Sequence, residues 1–408
     1  MADPVDDLGI DIFAGLESLA DKSFVRIDTG GTAAGARAGG EGPDAIAAEP
    51  RFSLHPLLRE YALECLETSG ERPLVESRFA DVFIALAERT GSEILSVGAE
   101  ASLSLLDREE RNLRAAIDWS LAKDRADGGL RIIGAVWRWF QQRGRLRENL
   151  ALLGQLLARP AVDRRVRITG LTAQGGLAYW MNDFDLARTA YEERLDLATA
   201  TGDPLLMADA HYDIGFMFMV SQEASRLREH EQLAIDLYTA AGREDGVLRA
   251  RQALVLAVFL DGDYAAAQSL EEENLAVFRR TGSQFQIADS MTLLSGVHWR
   301  LGDFAAARLR VAESLQFFVE IDSFSGLARA LGMVAIILLT EPGSDHDREF
   351  GAQVTGATYR LVRDHGVMLA PVKVLHLPDP IDLANELFGE ARAAELMAEG
   401  AAISIRDL

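Results

Sequence analysis

A repeat of 40 residues runs through the middle of the chain and limits its fold more than any other sequence feature. Large apolar residues keep this period at Trp139, Tyr179, Met219, Phe259 and Trp299. Glycines keep it at Gly202, Gly242 and Gly282. Asp followed by an aromatic residue falls in the same register at Asp183, Asp263 and Asp303. Such a period indicates stacked units, each too small to bury its apolar face alone.

Each period divides into two predicted helices joined by a tight turn. The first helix of one copy ends at Asp261-Gly262, where the glycine is suited to the left-handed conformation that caps a helix. Asp263 then supplies the N-cap of the second helix. The motif Gly-Asp-aromatic-x-x-Ala favours tetratricopeptide-like repeats with lengthened helices over HEAT-type repeats of roughly 40–47 residues. We therefore predict an all-α chain, a tetratricopeptide-like α-α superhelix, with the large apolar residues of the repeat in its packing.

Composition and charge exclude several classes of function. Of 408 residues, 49% are hydrophobic and 25% are charged, as in ordinary globular chains. The net charge of −22 repels phosphate backbones, so we expect no nucleic-acid binding by this chain alone. The N-terminus is acidic, unlike a secretory signal, and no apolar run approaches the ~20 residues of a membrane span. The sequence therefore predicts a cytoplasmic protein without membrane contact.

Cys65 is the only cysteine of the chain. A single cysteine excludes an intramolecular disulfide and a zinc site of several cysteines. Because Cys65 stands in a run with the apolar residues of a predicted helix, we expect it to lie in a helix core.

The N-terminal part differs from the repeats. Two β-like runs, Ser23–Ile27 and Arg51–Leu54, flank a Gly/Ala-rich stretch at residues 28–50, and a helix begins at Pro56 and ends at Gly70. This order matches part of a winged helix, and a plain hairpin packed on helices fits it equally. We predict a partial winged-helix segment at 1–70 and a helical connector with a first helix pair at 71–160. Tetratricopeptide-like repeats follow at 161–366, and C-terminal capping helices at 367–408.

Five short segments resemble one family. Their positions are Leu19–Val25, Arg51–Ala62, Glu110–Ala116 followed by Trp119, Ala352–Ala357 and Ala398–Ser404. They resemble the end of the winged helix, the connecting helix and the repeat region of bacterial AfsR/LuxR-like signal-transduction ATPase regulators, which include adenylate-cyclase-linked members. The likeness extends over roughly residues 11–408, and its motifs are structural. It implies a sensor or regulatory role.

The chain also departs from that family. Phosphate binding by these ATPases requires G-x-x-x-x-G-K-[ST], yet the only lysines are Lys22, Lys123 and Lys373, and none follows a glycine. No DNA-binding helix-turn-helix is recognisable either. We expect only the sensor half of such a regulator, without its ATPase domain, as a truncated product, a product of a misassigned start, or a free-standing relative.

The sequence contains no G-x-S-x-G nucleophile elbow and no H-E-x-x-H zinc helix. The cluster Glu229-His230-Glu231 is predicted to be a solvated helix face. We therefore expect neither an enzyme nor a cofactor or metal site.

Binding is the remaining class, and the repeat register supplies the candidates. On the first helix of each pair, side chains three and seven positions apart point the same way. Two rows vary in chemistry between copies, as expected of a groove surface, and two large side chains fall beside them. The ten candidates are Thr169, Asp209, Arg249 and Asp289; Thr172, Tyr212, Gln252 and Thr292; and Trp180 and Arg300.

Three hypotheses follow. The leading one is a non-catalytic scaffold that binds a protein, a peptide or a small-molecule effector in its concave groove, as part of a bacterial regulator or signalling ATPase. The second is DNA association through the winged helix, although neighbouring acidic residues offset its basic ones, Lys22, Arg26, Arg37 and Arg51. The third is a remnant of an ATPase or of a cyclase-linked enzyme.

Overall fold

The computed structural model describes residues 11–28, 51–94, 99–159, 163–281, 284–365 and 377–404. The chain divides into two compact units, Met1–Arg78 and Phe79–Leu408. Most of the Gly/Ala-rich stretch at 28–50, the predicted repeat glycine Gly282 and part of the predicted capping region lie outside the described residues.

The described part of the first unit contains two helices and a hairpin. Helix α1 (Ile12–Asp21) precedes strands β1 (Val25–Asp28) and β2 (Arg51–Leu54), which pair antiparallel with Val25 opposite Leu54. Helix α2 (Pro56–Ser69) follows, with Pro56 in its first turn and Gly70 in the left-handed conformation at its end. The predicted start and end of this helix are confirmed.

Helix α2 has no buried residue. Leu57 and Tyr61 are 69% and 65% exposed, and Cys65 is exposed as well, so the prediction of a buried cysteine is wrong. The physical reason is the size of the local core. Among residues 14–27 and 52–78 of this unit, Val25 is the only buried hydrophobic side chain, which is too little to cover one face of a four-turn helix.

The second unit is a stack of helices. The boundary between the two units falls within helix α3 (Arg72–Gly91). The further helices are α4 (Glu100–Ala122), α5 (Ala126–Gln142), α6 (Leu146–Leu157), α7 (Arg164–Trp180), α8 (Phe184–Thr201), α9 (Pro204–Val220), α10 (Ala224–Ala240), α11 (Glu244–Leu260), α12 (Tyr264–Thr281), α13 (Gln284–Arg300), α14 (Phe304–Glu320), α15 (Phe324–Thr340), α16 (Asp345–His365), α17 (Pro380–Phe388) and α18 (Glu390–Ala402). From α8 to α15, equivalent helices start 40 residues apart, which confirms the tetratricopeptide-like superhelix. In the described ranges, no helix has the length and apolar character needed to span a membrane.

The turns inside the repeats have the predicted caps. The Asp263 carboxylate accepts a hydrogen bond from the Ala266 backbone amide at 3.1 Å, directly after Gly262 with φ of 82°. Asp183 and Asp303 cap α8 and α14 in the same way. In the degenerate copy Gln222 takes the left-handed position, with φ of 63°, and the Glu223 side chain makes no capping hydrogen bond.

The large apolar residues of the repeat pack between helices, as predicted. Trp139, Met219 and Phe259 are buried. The indole Nε1 of Trp139 also donates to the Asp107 carboxylate at 2.7 Å, and that of Trp299 donates to Thr340 Oγ1 at 2.7 Å. The tryptophans therefore fill the space between layers and tie each layer to a polar group of a neighbouring helix.

The superhelix of the second unit turns until its early helices meet its late ones. Gln141 Nε2, at the end of α5, donates to Ser325 Oγ of α15 at 3.1 Å, and both side chains are buried. Arg143 Nη1 donates to the backbone oxygens of Ile321 and Asp322 at 2.8 and 3.2 Å. A single apolar cluster includes buried residues from both ends, such as Leu130 and Leu331. This closure encloses the concave side.

The C-terminal helices α16 and α18 approach each other through two glycines. A Cβ on Gly356 would overlap the Met397 carbonyl oxygen, and a Cβ on Gly400 would overlap the Gln353 carbonyl oxygen. The two segments with family resemblance near the C-terminus, Ala352–Ala357 and Ala398–Ser404, therefore carry small residues because their backbones are in contact.

Candidate ligand-binding cavity

A cavity lies on the concave side of the second unit and is lined mainly by the first helix of each pair, from α5 to α15. Its aromatic lining residues are Trp137, Tyr179, Trp180, Tyr191, Tyr212, Phe216, Phe259 and Phe285. Its charged lining residues are Arg138, Asp213, Arg249, Asp289 and Arg329. Leu377, from the segment between α16 and α17, also contributes. We call this space the central cavity.

The structure brings together seven of the ten candidates. Six of these residues line the central cavity: Trp180, Tyr212, Arg249, Gln252, Asp289 and Thr292. The seventh, Asp209, lies behind them, where its carboxylate is 3.6 Å from Arg249 Nη2 and accepts a hydrogen bond from the Tyr238 hydroxyl. Their assembly follows from the repeat, because equivalent positions on successive first helices face the same side.

The other three candidates lie outside the cavity lining. Thr169 packs against α5, where its Cγ2 occupies the space that a Cβ of Gly134 would need. The Thr172 hydroxyl donates to the Ile168 carbonyl oxygen of its own helix at 2.9 Å. The Arg300 guanidinium lies 4.8 Å from the centroid of the Trp299 ring, among aromatic side chains. Helix α7 packs directly on α5, so Thr169, its member of the first row, contacts α5 and does not face the cavity.

One row of charges extends one period beyond Asp289. Asp209, Arg249, Asp289 and Arg329 are spaced by 40 residues and alternate in sign. The first two form an ion pair, and Arg329 donates to the Asp289 carboxylate. Continuing the register from Asp289 would have found Arg329. Arg138 could not have been found in this way, because it precedes the regular repeats.

The pKa shifts of the cavity arginines follow from burial and from neighbouring groups. Burial lowers the pKa of Arg329 to about 10, although Tyr179 acts in the opposite direction. Burial also disfavours the charged form of Arg249, but Tyr238, Tyr212 and Asp209 outweigh it, so the Arg249 pKa lies above its ordinary value. Both guanidinium groups are therefore protonated near neutral pH.

Buried carboxyl groups lie behind the lining. Glu271 is fully buried and accepts hydrogen bonds from Gln252 Nε2 at 3.2 Å, from Asn274 Nδ2 at 3.1 Å and from the Ser290 hydroxyl. Burial raises the pKa of Glu271 to about 7, and these hydrogen bonds oppose the shift. Gln252 is thus held between the cavity and a carboxyl group that titrates near neutral pH.

Glu231 occupies the equivalent position one repeat earlier, and the prediction that it is solvated is wrong. It is fully buried, because Gly215 of α9 lacks the Cβ that would overlap the Glu231 carboxyl group. Burial raises the pKa of Glu231 well above its ordinary value, and Asp213 adds to the shift. Its neighbour His230 is half-buried, with Nδ1 3.0 Å from His211 Nδ1.

The described residues contain no group of three or more His, Cys, Asp or Glu side chains placed to hold a metal ion. What the described cavity offers is aromatic surface, guanidinium groups and hydrogen-bonding amides. These groups bind ligands by stacking, ion pairing and hydrogen bonding.

No family model matches the sequence, and no curated protein matches it. Solved structures do match. A Rap protein complexed with Competence and Sporulation Factor is 11% identical, with a TM-score of 0.53 over 80% of this chain and 97% of that one. The fold is shared. The apo quorum sensor NprR from B. thuringiensis is 11% identical, with a TM-score of 0.41 over 81% of this chain and 99% of that one. A tetratricopeptide repeat protein from Parabacteroides merdae is 15% identical, with a TM-score of 0.42 over 73% and 97%.

Proposed function

We propose that this chain is a non-catalytic, tetratricopeptide-like binding protein whose central cavity holds a peptide. One observation carries the proposal: a closed superhelix encloses a cavity that combines aromatic walls with guanidinium and amide groups. A cavity of this composition provides apolar contact area together with a few polar groups that fix orientation. The binding role of Trp180, Tyr212, Arg249, Gln252, Asp289 and Thr292 is part of this proposal.

The proposed setting is the sensor part of a bacterial regulator in the cytoplasm. The resemblance to AfsR/LuxR-like regulators supports this setting, and the hairpin with α2 contains two of the segments that carry this resemblance. The Rap protein that shares the fold was crystallised in complex with Competence and Sporulation Factor. A superhelix of this kind therefore has room for a ligand.

The role of the central cavity in peptide binding is tested by a substitution that fills it. Gly296 of α13 lines the central cavity, and a Cβ there would have only Met333 Sδ within 4 Å, at 3.8 Å. Gly296→Leu would therefore project a side chain into the cavity without displacing backbone. The matched control is Gly154→Leu on α6, where a Cβ meets nothing within 4 Å.

The measurement is enrichment from a pool of random hexapeptides on immobilised full-length chain. We expect the wild type and Gly154→Leu to enrich the same peptides, and Gly296→Leu to lose them at least tenfold. Enrichment that survives in Gly296→Leu would place peptide binding elsewhere. Absence of enrichment by the wild type would overturn the proposed function.

A further inference from the structure

One charged group of the central cavity differs from the others. Arg249 is paired with Asp209, Arg329 with Asp289, and Asp213 with Arg194. Arg138 of α5 forms no ion pair with any acidic side chain among the described residues, and its guanidinium carbon lies 4.3 Å from the centroid of the Trp137 ring. An arginine stacked on an indole keeps its donors free for a planar acceptor.

Positive side chains outnumber negative ones in the lining of the central cavity, which contains three arginines and two aspartates. Burial raises the pKa of Asp213, which lines the same cavity, and so disfavours its charged form, while Arg194 and Arg138 act in the opposite direction. The chain carries a net charge of −22, so its surface repels anions in general. The central cavity is therefore a local positive site in an acidic protein.

The position of Arg138 also matters. Together with Trp137, Arg249 and Gln286, it lines a second cavity between α5 and helices α11 and α12. That cavity also includes Leu248, Phe278 and two acidic residues, Glu244 and Asp245, of which Asp245 is paired with Arg243. An anion held by Arg138 would thus have aromatic walls on one side and further open space on the other. This arrangement fits the end of a chain better than a compact small molecule, which would occupy one cavity only.

We infer that the central cavity recognises the C-terminus of a peptide: the terminal carboxylate binds the Arg138 guanidinium, and the last side chain, an apolar one, packs among the aromatic rings. This inference rests on the proposed function. A carboxylate matches the fork of a guanidinium group in a bidentate manner. A phosphate dianion fits less well, because the Asp289 carboxylate lines the same cavity and repels a second negative charge.

The experiment uses two dye-labelled pools of hexapeptides with randomised last three residues, one ending in a free carboxylate and the other in an amide. Fluorescence polarisation with the full chain is expected to show at least tenfold tighter binding of the acid pool. Arg138→Gln should bring the acid pool down to the affinity of the amide pool. Arg131→Gln is the control, because Arg131 lies on the same helix but pairs with Glu88 at the surface.

The outcomes separate the two proposals. If the wild type binds both pools equally and Gly296→Leu binds neither, the central cavity holds peptides without reading their terminus, and the inference is overturned while the proposed function stands. Absence of binding of either pool overturns both. N-acetylphenylalanine serves as competitor: if it displaces the peptides at their own affinity, the ligand is a small carboxylic acid, and the peptide assignment is overturned.

Discussion

At the scale of single residues, the buried carboxyl groups make the free energy of unfolding depend on pH. Glu271 ionises with a pKa of about 7 in the folded chain, raised by burial from 4.5. Below pH 4.5 the folded and unfolded chains both hold this proton. As the pH rises from 4.5 to 7, only the unfolded chain loses it, so the free energy of unfolding falls. The difference corresponds to about 3 kcal/mol and is constant above pH 7.

Glu271→Gln removes this titration. Relative to the wild type, the variant should gain about 3 kcal/mol in its free energy of unfolding between pH 4.5 and pH 8. An amide also suits the site, because Asn274 Oδ1 has no hydrogen-bond partner and would accept from it after an amide flip. Urea unfolding at both pH values measures the gain. Glu272→Gln is the exposed control, and an equal gain in that variant would contradict the assignment to Glu271.

Residue-scale prediction from sequence succeeded where the repeat register was sufficient. The row containing Asp209, Arg249 and Asp289 could be read directly from the spacing, because the first helices α9, α11 and α13 turn equivalent positions to the same side. The burial of Glu231 could not, since it depends on the missing Cβ of Gly215 on another helix. Arg138 was missed for a similar reason, because its unpaired state depends on neighbours from distant repeats.

At the scale of helices, local signals were reliable and non-local ones were not. Helix α2 begins at Pro56 and ends at the cap residue Gly70, as predicted, because capping depends on residues adjacent in sequence. The exposure of Leu57 and Cys65 on the same helix depends on what covers it, which no local pattern specifies. The close contact of α16 with α18 is likewise non-local, although its small residues were visible in the sequence.

Two glycine substitutions should change the free energy of unfolding in opposite directions. Gly356→Ala places a methyl group into the Met397 carbonyl oxygen, a backbone atom that moves only if α18 moves, and should lower the free energy of unfolding by about 3 kcal/mol. Gly154→Ala, inside α6 with open space around it, should raise this free energy by about 1 kcal/mol. Urea unfolding measures both. A neutral Gly356→Ala, with α18 still protected from proteolysis, would show that the helices tolerate separation.

At the scale of the whole second unit, closure of the superhelix creates the cavity, and Arg143 is central to it. Its guanidinium group pairs with Asp107 of α4 at 2.8 Å and also donates to the backbone at the turn between α14 and α15. The Arg143 side chain is 12% exposed and that of Asp107 is 36% exposed, so the guanidinium group is the more shielded partner. Charge-assisted hydrogen bonds in such surroundings contribute more than exposed ion pairs do.

Arg143→Met should therefore open the closure. The variant leaves the Ile321 and Asp322 carbonyls and the Asp107 carboxylate without this donor, and we expect a loss of about 2–4 kcal/mol in the free energy of unfolding. Hydrogen exchange should accelerate at the end of α5 and the start of α15 while α9 and α10 keep their protection. Arg131→Met, which removes an exposed ion pair with Glu88 from the same helix, should cost less than about 1 kcal/mol. If both variants show the same hydrogen exchange, the two ends of the superhelix are held together by apolar packing and not by Arg143.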